Sequence, residues 1–324
     1  MEGTALVLEP ERSEALSTQL REVAERGRGY AEQAKADATL RAYRSDWRHF
    51  EAWCAAHGLV AMPATEETVA LYVTDMAETL GTSTLQRRLS SIAQAHKAQG
   101  VAVPTKGAVA FVWQGTKRVK GTAQEGKAPA RTDEIRRMVA TCEDDMLGAR
   151  DRALLLLGFA GAFRRSELVA LDVEDLEFGS AGLTVTIRRS KTDQEGAGQR
   201  VGIPYGSNPE TCPVRNVQAW LEAASIAGGS VFRRVNRWGQ VADVRLSEPG
   251  VALVVKHRAE LTGLDPARFS GHSLRAGLAT AAAEAGVGER SSMNQTRHKS
   301  LPMVRRYIRE GNLFRENAAG HVGL

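Results

Sequence analysis

The sequence predicts a mainly α-helical protein of two domains, the second carrying one small antiparallel sheet. Three observations lead there. The 324 residues exceed the usual size of a single domain. Apolar residues recur at helical spacing through most of the chain. Period-two alternation is confined to LDVEDLEF (171–178) and GLTVTIRRSKTDQEGAGQRVGIPY (182–205). Between the helical stretches, GTAQEGKAPA (121–130) has Gly, Ala and Pro without periodicity and reads as a linker. The expected organisation is a polar, partly helical arm over 1–33, a helical domain over 34–120, the linker, and a second domain over 131–324.

Each element has its own signal. ADATLRAYRSDWRHFEAWCAAH (36–57) places Leu40, Tyr43, Trp47, Phe50, Trp53 and Cys54 on one helical face, with Asp37 or Thr39 as cap. TEETVALYVTDMAETL (65–80) opens with Thr and two Glu, a helix start. TSTLQRRLSSIAQAHKAQG (82–100) runs from Thr/Ser to Gly, and 105–120 forms a further helix. In the second domain, RTDEIRRMVATCEDD and GARDRALLLLGFAGA are helical, and the Gly-rich DQEGAGQ joins a pair of strands. Helices return at 213–226, 250–262, 272–285, 289–297 and 302–308.

Composition excludes several classes. No apolar run approaches the ~18 residues of a membrane span, and no basic amphipathic anchor stands out. The first residues lack the basic and apolar regions of a secretory signal. Cys54, Cys142 and Cys212 have no ligand spacing, so neither a disulfide framework nor a zinc site is expected, and a reducing cytoplasm is. The net charge is +5, unevenly spread: residues 1–33 hold seven Glu against four Arg. Between Thr79 and Gln124 there is no acid at all, but Arg87, Arg88, Lys97, Lys106, Lys117, Arg118 and Lys120 are present. Residues 295–315 hold six Arg/Lys against Glu310 alone. Basic stretches so depleted in acid face either solvent or a polyanion.

Common catalytic motifs are missing. GAGQR lacks the dinucleotide spacing, SKT lacks the preceding Gly of a phosphate loop, and RRSEL is no nucleophile elbow. No HExxH and no convincing carboxylate cluster for a metal-dependent nuclease is present. What remains is a set of cationic or titratable side chains at element ends. They are Arg164 in FAGAFRRSELVAL, Lys191 in IRRSKTDQEG, His272 and Arg275 in GHSLRAG, and His298 and Tyr307 in TRHKSLPMVRRYIR.

In that order and spacing, these six residues resemble the tyrosine recombinase (phage integrase) family. ATLRAYRSDWRHFEAWC and HKSLPMVRRYIREG look closest to its Cre-like branch. The resemblance covers roughly residues 30–320. It implies a helical, SAM-like core-binding domain followed by a mixed α/β, mostly helical catalytic domain with a small antiparallel sheet. It also implies a site-specific DNA recombinase that works through a covalent 3′-phosphotyrosine intermediate and a Holliday junction, without metal, ATP or other cofactor. The residue types suit that chemistry. A phenol has the lower pKa among protein hydroxyls, ~10, so it serves as both nucleophile and leaving group. Two guanidiniums grip the transition-state oxygens bidentately, which Lys cannot do. By the resemblance, Arg164 and Arg275 take that role, Tyr307 is the nucleophile and His272 its base. Lys191 protonates the leaving 5′-oxygen, His298 donates to the phosphate, and Glu167 fixes a neighbouring side chain.

Other cations are expected on DNA. In the first domain these are Arg41, Arg44, Arg48, Arg87, Arg88, Lys117, Arg118 and Lys120, with the helices 37–57 and 82–100 entering the major groove. In the second they are Arg165, Arg189, Arg245, Lys256, Arg258, Arg297, Lys299, Arg305 and Arg306. Pro249 and Gly250 stand where relatives often present a base-reading side chain, so Arg245, Lys256 and Arg258 are expected to substitute. Arg306, next to the nucleophile, is expected to lower the phenol pKa. The apolar tail GNLFRENAAGHVGL (311–324) is expected to dock into a neighbouring protomer in a head-to-tail ring. The partners implied are double-stranded DNA with an inverted-repeat site and three further copies of the chain, a homotetramer with a dimer per site. No membrane and no small-molecule substrate is expected, and the location is the bacterial cytoplasm or nucleoid. Two rival readings stay open: a type IB topoisomerase-like enzyme, and a non-catalytic DNA-binding protein on the same scaffold.

Overall fold

The helical stretch that begins at Asp37 owes its length to an aromatic face. In the computed structural model of the chain it runs as α2 (Asp37–Ala56), preceded by α1 (Thr18–Glu32). The structure describes residues 18–32, 37–122, 126–188 and 198–297, together with Arg305 and Tyr307. These divide into two compact units, 1–125 and 126–324, with the break inside the predicted linker.

The first unit continues with α3 (Glu66–Ala77), α4 (Thr82–Ala98) and α5 (Gly107–Lys120). Thr65 caps α3 by accepting the Thr68 N–H at 3.2 Å. α2 packs on α4, and α3 on α5. The core is aromatic: Phe50 and Trp53 meet Tyr72 at ring distances of 5.0 and 5.2 Å, and Trp47 lies beside Phe50. His96 is buried in this core and satisfied at both ring nitrogens, by the Ile92 carbonyl and the Ala64 N–H, each at 2.9 Å.

The second unit is built around α7 (Met146–Ala160), whose Ala153, Leu154, Leu155 and Leu157 are fully buried. Around it lie α6 (Thr132–Ala140), α9 (Pro213–Ala223) and α11 (Gly271–Glu284). α8 (Arg165–Ala170) is a short helix packed on α10 (Glu248–Leu261), and α12 (Glu289–Thr296) packs on α11. A three-stranded antiparallel sheet in the order β1 (Leu176–Gly179), β2 (Gly182–Ile187), β3 (Gln199–Pro204) buries Leu183, Val185, Ile187, Val201 and Ile203. The mainly helical, two-domain class with a small antiparallel sheet is therefore the observed one.

Two differences from the sequence reading have physical causes. The predicted strand over 171–178 begins only at Leu176. Before it, Val173–Asp175 form a 3₁₀ turn, closed by the Asp172 N–H donating to Asp175 Oδ2 at 2.9 Å. A second hairpin, β4 (Arg233–Val235) with β5 (Val241–Arg245), was not expected. Its residues are mostly exposed, so it has little of the apolar alternation that marks a strand.

α11 is held unusually close to the start of the unit. Ala128 donates to Arg268 O and Ala130 to Ser273 O, at 2.8 and 2.9 Å. A Cβ on Gly277 would lie 1.9 Å from the Ala130 carbonyl, so only glycine permits this approach.

Arg258 of α10 is 6% exposed, and it is not a base-reading residue. It donates to Asp151 at 2.9 and 2.8 Å and to the Thr141 carbonyl at 2.7 Å, while Arg150 takes the other Asp151 oxygen. A carboxylate buried on α7 demands this compensation. Arg258→Ala is expected to cost about 3 kcal/mol, the lower end for breaking a buried pair. Urea unfolding measures it, and a loss within experimental error would contradict the structural role.

Candidate active site

The site grows from a turn. α7 ends at Ala160, and the chain passes through Gly161, Ala162, Phe163 and Arg164 before α8. Ala162 is fully buried with φ +45°, in the left-handed region that a residue with a Cβ rarely adopts. The turn offers its carbonyls to two guanidiniums. Ala162 O accepts from Arg275 Nη1 at 2.7 Å and from Arg297 Nη2 at 3.0 Å, and Gly161 O accepts from Arg297 Nη1 at 2.8 Å.

Glu167 lies one turn into α8 and is 2% exposed. Its Oε2 accepts the Arg164 backbone N–H at 2.9 Å and Arg297 Nη2 at 2.8 Å, and its Oε1 accepts from the Arg164 guanidinium. Burial alone would raise its pKa. Arg297, the Arg164 N–H and the Arg164 charge outweigh burial and hold the carboxyl below its ordinary value.

α11 supplies His272 and Arg275. Ser270 caps it, accepting the His272 N–H at 3.2 Å and donating its own N–H to Ser273 Oγ at 3.0 Å. Helical spacing then carries both side chains to the turn. Arg275 is 1% exposed, and its Nη2 is buried with no hydrogen-bond partner among the described residues. Burial, and then the charges of Arg164 and Arg297, push its pKa well below the usual guanidinium value. Three guanidiniums thus gather around a single carboxylate, which bonds Arg164 and Arg297, and two buried donors, Arg275 Nη2 and Arg297 Nε, have no partner among the described residues. Such a cluster calls for an anion.

Tyr307 stands beside this cluster, its Oη 3.3 Å from His272 Nε2. The His272 ring is solvent-accessible at the mouth of the site. The protein packed around it, followed by Arg275, Arg165 and Arg164, lowers its pKa below 6.5. The lowered pKa favours the neutral imidazole, which in the tautomer protonated at Nδ1 presents Nε2 to the Tyr307 hydroxyl as an acceptor.

Arg164, Glu167, His272, Arg275 and Tyr307 are brought together. Lys191 and His298 lie outside the described residues, as do Arg189, Lys299, Arg306 and the tail 311–324. The sequence reading placed Arg297 on flanking phosphates. It is instead 8% exposed and part of the cluster, forked over Glu167 and the turn carbonyls and stacked on Phe163 at 5.1 Å. It is reached through a left-handed C-cap on α12 (φ +56°, ψ +38°). Nothing in a helical period marks such a position; only its place before His298 in TRHK hinted at the site. Gln295 secures this end, donating to Ala160 O at 2.9 Å and Gly202 O at 3.2 Å.

Several other expected DNA contacts are also engaged within the protein. Arg245 donates to the Val169 and Leu171 carbonyls and to Asp172, holding the end of α8. Arg305 pairs with Glu289 at 2.9 Å. In the first unit, the buried carboxylate of Asp46 takes Arg87 in two hydrogen bonds of 2.7 and 3.0 Å. The largely buried Arg88 donates to Tyr72 Oη at 2.8 Å. Lys120 donates to the Ala77 carbonyl, and Lys117 sits over Trp113 at 5.6 Å. Arg41, Arg44, Arg48, Arg118 and Arg165 are exposed, and Lys256 is half-buried. Among the described residues, no group of three His, Cys, Asp or Glu side chains gathers to hold a metal, and no helix is long and apolar enough to cross a membrane.

Residues 130–312 match the model of the phage integrase family. An integrase/recombinase xerD homolog of Selenomonas ruminantium is 43% identical over 296 residues, 90% of this chain and 87% of that protein. The chain belongs to the phage integrase family. This integrase-family chain is accordingly a tyrosine site-specific recombinase. Recombinase cre of Escherichia phage P1 is 26% identical over 312 residues, 89% of this chain and 88% of that one. The fold resembles that of a lambda integrase (75–356) dimer bound to a COC′ core site, with a TM-score of 0.57 at 16% identity over 88% of this chain and 93% of that one.

Because the His272 pKa lies below 6.5, the base form is present at and above neutral pH and is lost only in acid. Single-turnover cleavage by this integrase-family enzyme is expected to be flat from pH 7 to 8 and to fall well below pH 6.5. A fall that already begins above pH 7 would contradict the depressed pKa.

Proposed function

We propose that this chain recombines DNA at an inverted-repeat site, as a homotetramer with a dimer on each duplex. The observation that carries the reading is the buried Arg275 donor with no partner among the described residues, set in a cluster of guanidiniums that one carboxylate leaves in cationic excess, with a phenol at its edge. A phosphodiester has the charge and the paired oxygens such a cluster lacks.

The steps then follow. His272 Nε2 takes the Tyr307 proton, and the phenolate oxygen bonds to phosphorus. Arg164 and Arg275 bind the non-bridging oxygens as charge builds on them, and His298 adds a further donor. The bond to the 5′-oxygen breaks, and Lys191 gives that oxygen a proton. The 3′-phosphotyrosyl ester keeps the energy of the broken bond, so a 5′-hydroxyl from a second duplex reverses the step and yields a Holliday junction. Glu167 and Arg297 hold Arg164 and the turn in place. Glu167 is shared between Arg164 and Arg297 and does not bond Arg275, which leaves the charge of Arg275 for the substrate.

Arg41, Arg44 and Arg48 recur three and four apart on the exposed face of α2, which supports a major-groove contact. Arg118, Arg165 and Lys256 remain candidates for phosphates. The tail 311–324, rich in apolar residues, is read as the link between protomers, and the cytoplasm as the place of action.

A nicked suicide duplex tests the chemistry. The unsubstituted chain is expected to become covalently trapped, whereas Tyr307→Phe still binds but is never trapped. Arg275→Lys is expected to slow trapping by about 10²–10³-fold with binding retained. Trapping by Tyr307→Phe would remove the assignment. Deleting 312–324 is expected to abolish tetrameric synapsis in gel shifts while preserving binding to a single site. Unchanged synapsis would count against the tail as the link.

A further inference from the structure

β2 precedes Lys191 in the chain, and α8 is capped by Arg164 and carries Glu167. These two elements face each other across a cleft of about 640 Å³ lined by Ala170, Leu171, Thr186, Ile187, Arg188 and Arg245. Ion pairs span that cleft. Asp172, just past α8, is the junction. Its Oδ2 accepts from Arg188, the residue after β2, and its Oδ1 accepts from Arg245 at the end of β5. Arg188 also donates to Asp175 Oδ2 at 2.7 Å, the same oxygen that takes the Asp172 N–H. Arg245 in turn grips the Val169 and Leu171 carbonyls at the end of α8.

We propose that Asp172 is a positioning residue for DNA cleavage: by bridging Arg188 and Arg245, it fixes the strand that precedes Lys191 in the chain against the helix that is capped by Arg164 and carries Glu167. Arg188 is three residues from Lys191 in the chain. A proton donor must stand within hydrogen-bond reach of the leaving oxygen, and a displacement of about 1 Å costs on the order of a hundredfold in rate. Solvent-exposed pairs add little to stability. The Arg188 side chain is 57% exposed, so its value lies in direction. The proposal rests on the reading of Lys191 as the donor to the 5′-oxygen.

The test compares two suicide duplexes, one with the natural 5′-oxygen at the scissile phosphate and one with sulfur there. A thiol has a pKa of ~8.5 and leaves as the thiolate without a proton donor. Arg188→Gln is expected to keep its melting temperature, to cleave the oxygen duplex about ten- to a hundredfold more slowly, and to cleave the sulfur duplex at the unsubstituted rate. Asp172→Asn should behave the same way, and the double variant should be no slower than Asp172→Asn alone. Equal slowing on both duplexes, or no slowing on either, overturns the proposal. Lys191→Ala separates the two levels. If sulfur rescues Lys191→Ala but not Arg188→Gln, the positioning role alone falls. If sulfur fails to rescue Lys191→Ala, the donor assignment falls, and the positioning role falls with it.

Discussion

One carboxylate among three guanidiniums governs the catalytic unit. Glu167 neutralises Arg297 and ties down Arg164, while Arg275 and Arg297 hang from the carbonyls of a left-handed turn at Ala162. Each buried cation is expensive without partners. The turn carbonyls and Glu167 meet part of that demand and, among the described residues, leave Arg275 Nη2 and Arg297 Nε unmet. The cluster is therefore a deficit built into the fold: one carboxylate faces three guanidiniums, and the excess positive charge calls for an anion.

Burial sorts the arginines of this chain into two kinds. Some hold the scaffold. Arg150 and Arg258 compensate Asp151 within the α7 core, and Arg245 closes the end of α8. In the first unit, Arg87 and Arg88 compensate Asp46. Others, such as Arg41, Arg44, Arg48 and Arg165, project into solvent and have their charge to offer. The deciding quantity is whether an acid lies buried within reach, because a buried carboxylate captures the nearest guanidinium before any ligand arrives.

The helices and the three-stranded sheet were legible because their apolar residues repeat at the period of the element they form. The aromatic face of α2 and the alternation across β2 and β3 are clear cases. The β4–β5 hairpin escaped notice because little of it is buried, and the 3₁₀ turn at 173–175 was hidden by an Asp pair acting on the backbone. In the site, His272 with Arg275 was visible as one helical face, and Arg164 with Glu167 as a helix start. Arg297 was not, since its role depends on a left-handed cap that turns it inward.

The sequence by itself determined the helical periods, the position of the linker, and the order of Arg, Lys, His-x-x-Arg, His and Tyr that names the chemistry. Those are local or ordinal properties, carried by residue type and spacing. Only the tertiary structure decided which cations are buried in the scaffold and which are exposed, that His272 lies beside Tyr307, and that Asp172 joins α8 to β2 and β5. Those facts depend on which side chains from distant segments share a desolvated volume, and spacing along a chain does not encode depth.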